Sequence, residues 1–302
     1  MFEFFTKIYA YFKRKLEWET SYDDRIFGFF VQLKDKETTE ESDLTIFSQL
    51  VDEFAFLLDG AQKNEVLNNN PLIYLAKFNI KNCAEFLRIL HEKNFNFALQ
   101  EVPDEDDFDN TALVWAAANA SNEFCAEFLE FISQNNIGAG VNINCGPSAV
   151  TALHLLVAKG YDYVDAQGNK LEISNLELIE TLVRNGANPN LGNKKLYTAL
   201  DVAVARRDSD TISAILPFCN QETIAKALKT LKNNFNDSQE IVNSNLGDSS
   251  DFKKPLDESL FNKEFEEEIE KILKEKLNKF TKPTSSKKLI EDGEKLEMQS
   301  SC

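Results

Sequence analysis

Only two histidines, His91 and His154, stand in the chain, beside cysteines at 83, 125, 145, 219 and 302. A thiolate activated by an imidazole is one way such residues do chemistry, and Cys145, in NINCGPSA at 142–149, is the cysteine nearest in sequence to His154. Other positions argue for packing instead. Cys83 and Cys125 open two near-identical segments, CAEFLRIL at 83–90 and CAEFLEFI at 125–132, and so fall on equivalent apolar faces. The histidines are far apart and no CxxC, HExxH, GxSxG or P-loop occurs, so neither a metal nor another cofactor is expected. Gly138-Ala139-Gly140 follows a helical stretch rather than a strand and reads as a turn. The acidic run EVPDEDDFDN at 101–110 lacks the 12-residue calcium-loop spacing with its central Gly and closing Glu. It reads as a solvated loop that could meet a basic partner.

Composition narrows the partners. The formal net charge is −17, so the surface repels phosphate backbones and nucleic acid is excluded as a ligand. Anionic membranes are disfavoured for the same reason, except where basic residues cluster. An odd, scattered set of five cysteines points to a reducing compartment rather than a disulfide framework. No apolar run of about 18 residues predicts a membrane span. Glu3 and Lys7 interrupt the N-terminal apolar stretch, against a cleaved secretory signal. Arginine is scarce while Lys, Asn and Phe abound, a pattern read here as AT-rich coding.

The elements that must position these residues are repeats. The segments NPLIYLAKF (70–78), TALVWAAAN (111–119), TALHLLVAKG (151–160) and TALDVAVAR (198–206) align on Asn70, Thr111, Thr151 and Thr198. Each mark is a good N-cap, followed by Pro or Ala at a first helical position. Leucine comes two residues after each mark, and Leu75 and Ala76, Ala116 and Ala117, Leu156 and Val157, Ala203 and Val204 give each helix a small apolar face. A second helix follows in each copy; the clearest, LELIETLV at 176–183, runs into RNGANPN, where Gly186 supplies the left-handed residue that ends it.

TALHLL at 151–156 followed by LVRNGANPN at 182–190 resembles the ankyrin-repeat family, whose unit of about 33 residues carries a T-P-L-H-x-A signature, two antiparallel helices and a projecting turn. The spacings here are longer: 111 − 70 = 41, 151 − 111 = 40 and 198 − 151 = 47. In the third unit the surplus is an insertion at 161–174 between the two helices. The resemblance implies an all-α solenoid of about four helix-turn-helix units over 70–232. It also implies that His154 bonds loop backbone and ties neighbouring units; Ile73, Val114 and Asp201 stand at that position elsewhere, so the tie is expected to be missing there. It implies a non-enzymatic protein-binding function. Carried over residue by residue, the finger tips and concave face become Asp107, Phe108, Asp109 and Asn119, Val150 and Lys159, and Lys194, Lys195, Tyr197 and Arg206.

A stacked array bares an apolar face at each end and needs caps. Residues 1–69 are expected to form a helical cap, with Phe5, Ile8, Tyr9, Phe12 and Leu16 on one face and Ile46, Phe47, Leu50, Val51, Phe54, Leu57 and Leu58 on another. Residues 221–232 would close the array, with 233–257 a flexible linker and 283–302 a disordered tail. Between them, 258–282 should form an amphipathic helix with Phe261, Phe265, Ile269, Ile272, Leu273 and Phe280 as its stripe. It could fold back on the array, pair with a copy of itself or dock elsewhere.

The Lys/Asn/Phe-rich composition, together with the glutamate-bearing segments EFEEEIE (264–270) and EDGEKLE (291–297), is similar to that of effectors which intracellular bacteria of the Legionella or Coxiella type deliver by type IV secretion. On that resemblance the partner is a host protein. The competing readings are an enzyme using residues 1–69 or the 161–174 insertion, and a scaffold tethered to a membrane by residues 2–18, where Lys7, Lys13, Arg14 and Lys15 flank aromatics.

Overall fold

Each repeat mark caps a helix. Asn70 Oδ1 accepts from Leu72 N–H at 2.9 Å, and Thr111 Oγ1 from Val114 N–H at 3.2 Å. Thr151 Oγ1 accepts from His154 N–H at 3.4 Å, and Thr198 Oγ1 from Asp201 N–H at 3.2 Å. The helices so begun are α3 (Pro71–Lys77), α5 (Ala112–Asn119), α7 (Ala152–Lys159) and α9 (Ala199–Ala205). This computed structural model describes residues 22, 24–34, 36, 38–60, 70–80, 82–97, 100–101, 110–119, 122–137, 141–142, 149–160, 173–246 and 256–281. The readings on residues 2–18, the 102–109 stretch, Cys145, residues 161–172 and the tail fall outside them.

Second helices follow as α4 (Ala84–Glu92), α6 (Asn122–Asn135), α8 (Asn175–Arg184) and α10 (Ser209–Ile215). Helices α3, α5, α7 and α9 contact one another in succession, and α4, α6, α8 and α10 do the same in a second row. The small-residue positions explain the first row's close approach: Leu75, Ala76, Ala116, Ala117, Leu156, Val157, Ala203 and Val204 are all buried. The described residues are thus all-helical, apart from a two-residue antiparallel ladder that pairs β1 (Gln100–Glu101) with β2 (Asn110–Thr111).

One turn recurs at the helix ends. A left-handed residue follows, and the next N–H reaches back to the last turn: Ile80 to Leu75 O (3.0 Å), Phe95 to Leu90 O (2.9 Å), Ile137 to Ile132 O (2.9 Å), Ala187 to Leu182 O (3.0 Å) and Asp208 to Ala203 O (3.1 Å). This is the Schellman pattern. The left-handed residues are Asn79, Asn94, Asn136, Gly186 and Arg207, at φ 46, 55, 52, 90 and 58°. Asparagine tolerates that region because its short polar side chain lowers the steric cost. Glycine alone had signalled it in the sequence.

At the N-terminal side, α1 (24–33) and α2 (Glu41–Gly60) pack a phenylalanine-rich layer on α3 and α4. Phe47 meets Phe86 edge-on at 4.9 Å, and Phe30 stacks on Tyr74 at 5.4 Å. Ile46, assigned to that buried face, instead lies 45% exposed, at the edge of the stripe.

At the other end a 3₁₀ turn (Leu216–Phe218) leads into α11 (Gln221–Thr230), α12 (Phe235–Asn243) and α13 (Lys263–Thr281). Here the reading of 233–257 as a linker is corrected over residues 233–246, while 247–255 lie outside the described residues. Asn234 Oδ1 caps α12 by accepting from Asp237 N–H at 2.9 Å, and Ile241, Val242 and Leu246 are buried. The Asn/Ser-rich composition concealed a cap and an apolar face two turns long. Helix α13 folds back on α11, burying Ile269 and Leu273. Phe280 departs from the expected stripe at 46% exposure.

Candidate interaction surface

The array is held in register by polar ties between successive units. His154 is 1% exposed in the first turn of α7. Its Nδ1 accepts from Thr151 N–H at 3.2 Å, and Nε2–H donates to Tyr197 O, just before α9, at 3.1 Å. Burial lowers its pKa from 6.5 to about 4, the hydrogen bond to Tyr197 opposing, so both ring nitrogens are committed in the neutral form.

Asp201 takes the equivalent place in α9, where no tie was expected. It makes one by other chemistry: Oδ2 accepts from Thr198 N–H at 2.9 Å, Oδ1 accepts from Thr230 Oγ1 of α11 at 2.9 Å, and Lys226 Nζ lies 3.1 Å away. A buried carboxylate held by two hydroxyls, an amide and an ammonium is a satisfied one.

Helix C-termini are tied by cations. Lys159 Nζ donates to Ala117 O and Ala118 O of α5, each at 2.5 Å. One unit later, Arg206 Nη1 donates to Ala158 O of α7 at 2.7 Å. A cation over unpaired end carbonyls meets the negative end of the helix dipole. Gly160, at φ +71°, leaves room for this, since a Cβ there would stand 1.9 Å from Arg206 Nη2. Since first-turn and last-turn ties both join the same neighbours, α7 and α9 run side by side in the same direction.

Asparagines tie the turns after the second helices. Asn142 Nδ2 donates to Gly186 O (2.9 Å) and its Oδ1 accepts from Asn188 N–H (2.7 Å). Asn190 repeats this with Phe218 O (3.1 Å) and Asn220 N–H (2.7 Å). Asparagine abundance, read from sequence as coding bias, here supplies paired donors and acceptors.

These ties reassign several residues. Lys159 and Arg206 are half-buried inter-unit links, and Val150, placed on the partner face, is buried at 8% exposure. Val150 directly precedes the Thr151 cap. Asn119 ends α5, while Asp107, Phe108 and Asp109 lie outside the described residues.

The last three candidates come together on one projecting turn. Gly192 and Thr198 form an antiparallel bridge beneath it. The buried Asn193 side chain shapes it: Oδ1 accepts from Lys195 N–H (2.9 Å) and Tyr197 N–H (3.0 Å), and Nδ2 donates to Asn245 Oδ1 (3.0 Å). Lys194 and Lys195 are exposed, with Lys195 Nζ 2.9 Å from Glu240. Tyr197 is half-buried under Lys226, whose amine stands 5.5 Å from its ring centroid and also donates to Leu196 O.

Sequence reasoning missed the residue at the tip. Leu196 is 72% exposed and sits at φ +66°, a region that costs a branched side chain about 1–2 kcal/mol. Glycine or asparagine would hold the same turn without that cost. The signal, a lone leucine between lysines and a tyrosine, is indistinct without the backbone angle.

The described cysteines are unsuited to nucleophilic work. Cys83, Cys125 and Cys219 are buried, and burial raises the Cys125 and Cys219 thiols to about 12. Among the described residues no group of three or more His, Cys, Asp or Glu could hold a metal ion, and no helix is long and apolar enough to cross a membrane.

No family model matches the chain, and no curated protein matches it. Among solved structures it is similar to a chain in the complex of a predatory endopeptidase from Bdellovibrio bacteriovorus with an immunity protein, at 21% identity over 60% of this chain and 99% of that chain. The TM-score is 0.25, too slight a likeness to carry fold or function across.

Proposed function

We propose that this chain is a non-enzymatic protein-binding module of ankyrin-repeat type, which meets its partner through the 192–198 turn and the neighbouring fingers. The observation that carries the reading is Leu196, strained and solvent-facing on a turn that Asn193 and Lys226 otherwise hold rigid. Strain kept at an exposed position points to use outside the fold, and a rigid apolar tip flanked by Lys194 and Lys195 suits a partner pocket with an acidic rim. The paired helices, the Thr151–His154 cap and the projecting turns support the family reading. Affinity capture from eukaryotic lysate, comparing the full chain with Leu196→Asp and Lys194→Glu variants, tests it. Proteins retained by the parent and lost with either variant are expected; retention indifferent to both rules out this turn as the contact.

The secreted-effector reading rests on the composition of the C-terminal segment. Deletion of residues 282–302 in a translocation assay is expected to abolish delivery into host cells, and undiminished delivery would remove it.

A further inference from the structure

The C-terminal end of the array carries a feature that its packing does not require. Arg207, at φ +58° and only 2% exposed, lies under α13. Its guanidinium is held from the array side: Nη1 donates to Val204 O (2.9 Å), and Nη2 to Leu231 O (3.0 Å) and Asn233 O (3.2 Å). On the α13 side it has looser partners. Glu266 Oε1 stands 3.5 Å from Nη2, with that carboxylate 37% exposed, and the Phe261 ring covers the guanidinium carbon at 4.4 Å. Among the described residues, Arg207 Nε–H is buried with no acceptor. The array side thus holds the cation by three carbonyls, and the described residues of α13 offer its Nε–H no acceptor.

Helix α13 is seated on α11 along one edge. Ile269 and Leu273 are its fully buried side chains, while Phe265, Ile272 and Leu277 are half-exposed and Phe280 is exposed. Among its other links are the rim pairs Lys232–Glu270 (3.3 Å) and Lys276 Nζ–Pro217 O (3.5 Å), which contribute little in solvent. Phe261 fits edge-on against Phe235 of α12 at 5.2 Å. The receiving face thus has an aromatic slot, a buried cation with an open donor, and an apolar trough along α11.

We infer that this face is a second binding site, for an amphipathic helix of another protein, and that α13 occupies it as a displaceable strap. The matching segment is a helix with apolar residues four apart (Ile269, Leu273) and a carboxylate three residues before the first (Glu266), preceded by an aromatic eight residues before it (Phe261). Apolar anchors at helical spacing laid in a groove are a common recognition mode, and the carboxylate aimed at Arg207 adds selectivity against helices that lack it. The tethered strap competes at high effective concentration, so the site opens only to a helix that fits Arg207 better or is abundant. The inference rests on Arg207, Phe235 and α13 rather than on Leu196, so it stands or falls independently of that contact.

The test uses the full chain and a fluorescein-labelled peptide of residues 256–281, read by fluorescence anisotropy. In the full chain bearing Ile269→Asp and Leu273→Asp the strap is released while the receiving face is intact. This variant is expected to bind the peptide at least tenfold more tightly than the parent chain. A Glu266→Lys peptide should lose most of that gain, and a scrambled peptide all of it. Equal binding by parent and variant, or equal binding of the scrambled peptide, overturns the inference. Should the double variant lose the array's cooperative melt, Phe261→Ala in the full chain provides the release; loss of the melt there too shows α13 to be part of the core and overturns displaceability.

Discussion

His154 makes the stability of the array depend on pH in a window where few other groups titrate. In the folded chain burial holds its pKa at about 4, whereas the unfolded imidazole titrates near 6.5. Because the folded value is depressed, the neutral ring's contribution is complete above pH 6.5 and is lost as pH falls towards 4. Between those values the unfolded chain binds a proton that the folded chain refuses, giving a slope that approaches about 1.4 kcal/mol per pH unit. Integrated, the linkage costs roughly 2 kcal/mol at pH 5 against about 0.2 kcal/mol at pH 7. The carboxylates with lowered values, Asp43, Glu177, Asp257 and Glu270, start from 3.8 or 4.5 and act below this window. The assay is urea unfolding followed by circular dichroism at pH 7, 6, 5.5 and 5, for the parent chain and His154→Gln. Glutamine at this position keeps the capping box without titrating. The parent should lose about 2 kcal/mol between pH 7 and 5, while the variant starts lower and stays nearly flat. A flat parent curve, or the same slope in the variant, would refute the claim that the buried neutral ring is the source.

Replacing Leu196 with glycine removes the left-handed strain and should raise stability by about 1 kcal/mol in urea melts, while weakening partner capture; a loss of stability would mean the side chain packs in the fold. Asp201→Ala strips acceptors from Thr198, Thr230 and Lys226 and should cost about 2–4 kcal/mol in the same melts, against a small loss for Asp201→Asn. Cys125 and Cys219, buried and raised to about 12, should resist iodoacetamide at pH 8 in the native chain and react on unfolding; rapid native labelling at either position would contradict their burial.

The helix starts were legible because Thr111, Thr151 and Thr198 combine capping chemistry with a fixed small-residue pattern, both local properties of the chain. The helix stops were legible at Gly186 and not at Asn79, Asn94, Asn136 or Arg207, because those residues adopt left-handed backbone only when the returning hydrogen bond is available. The site was harder to read. Lys159, Arg206 and Val150 occupy the positions where the resemblance placed partner contacts, yet their side chains turn to the preceding helix or to the core. Direction at a helix end depends on how closely the neighbouring helix approaches, which sequence spacing alone does not encode. Leu196 was overlooked because what marks it is a backbone angle. Residues 235–243 were misjudged because the polar side chains that compose a linker also compose a well-capped amphipathic helix.

The links from Lys159 to α5 and from Arg206 to α7 give the array a grammar of length. The third and fourth modules each hand a cation to the predecessor, so excision of the whole period between them, residues 159–205, would bring the Arg206 guanidinium to the carbonyls of Ala117 and Ala118. Any excision out of phase would strand that charge against the wrong neighbour. Growth and shrinkage of such a chain are therefore tolerated in integral steps, and its divergence in sequence is bounded by the hand-offs rather than by the motif that first made the repeats visible.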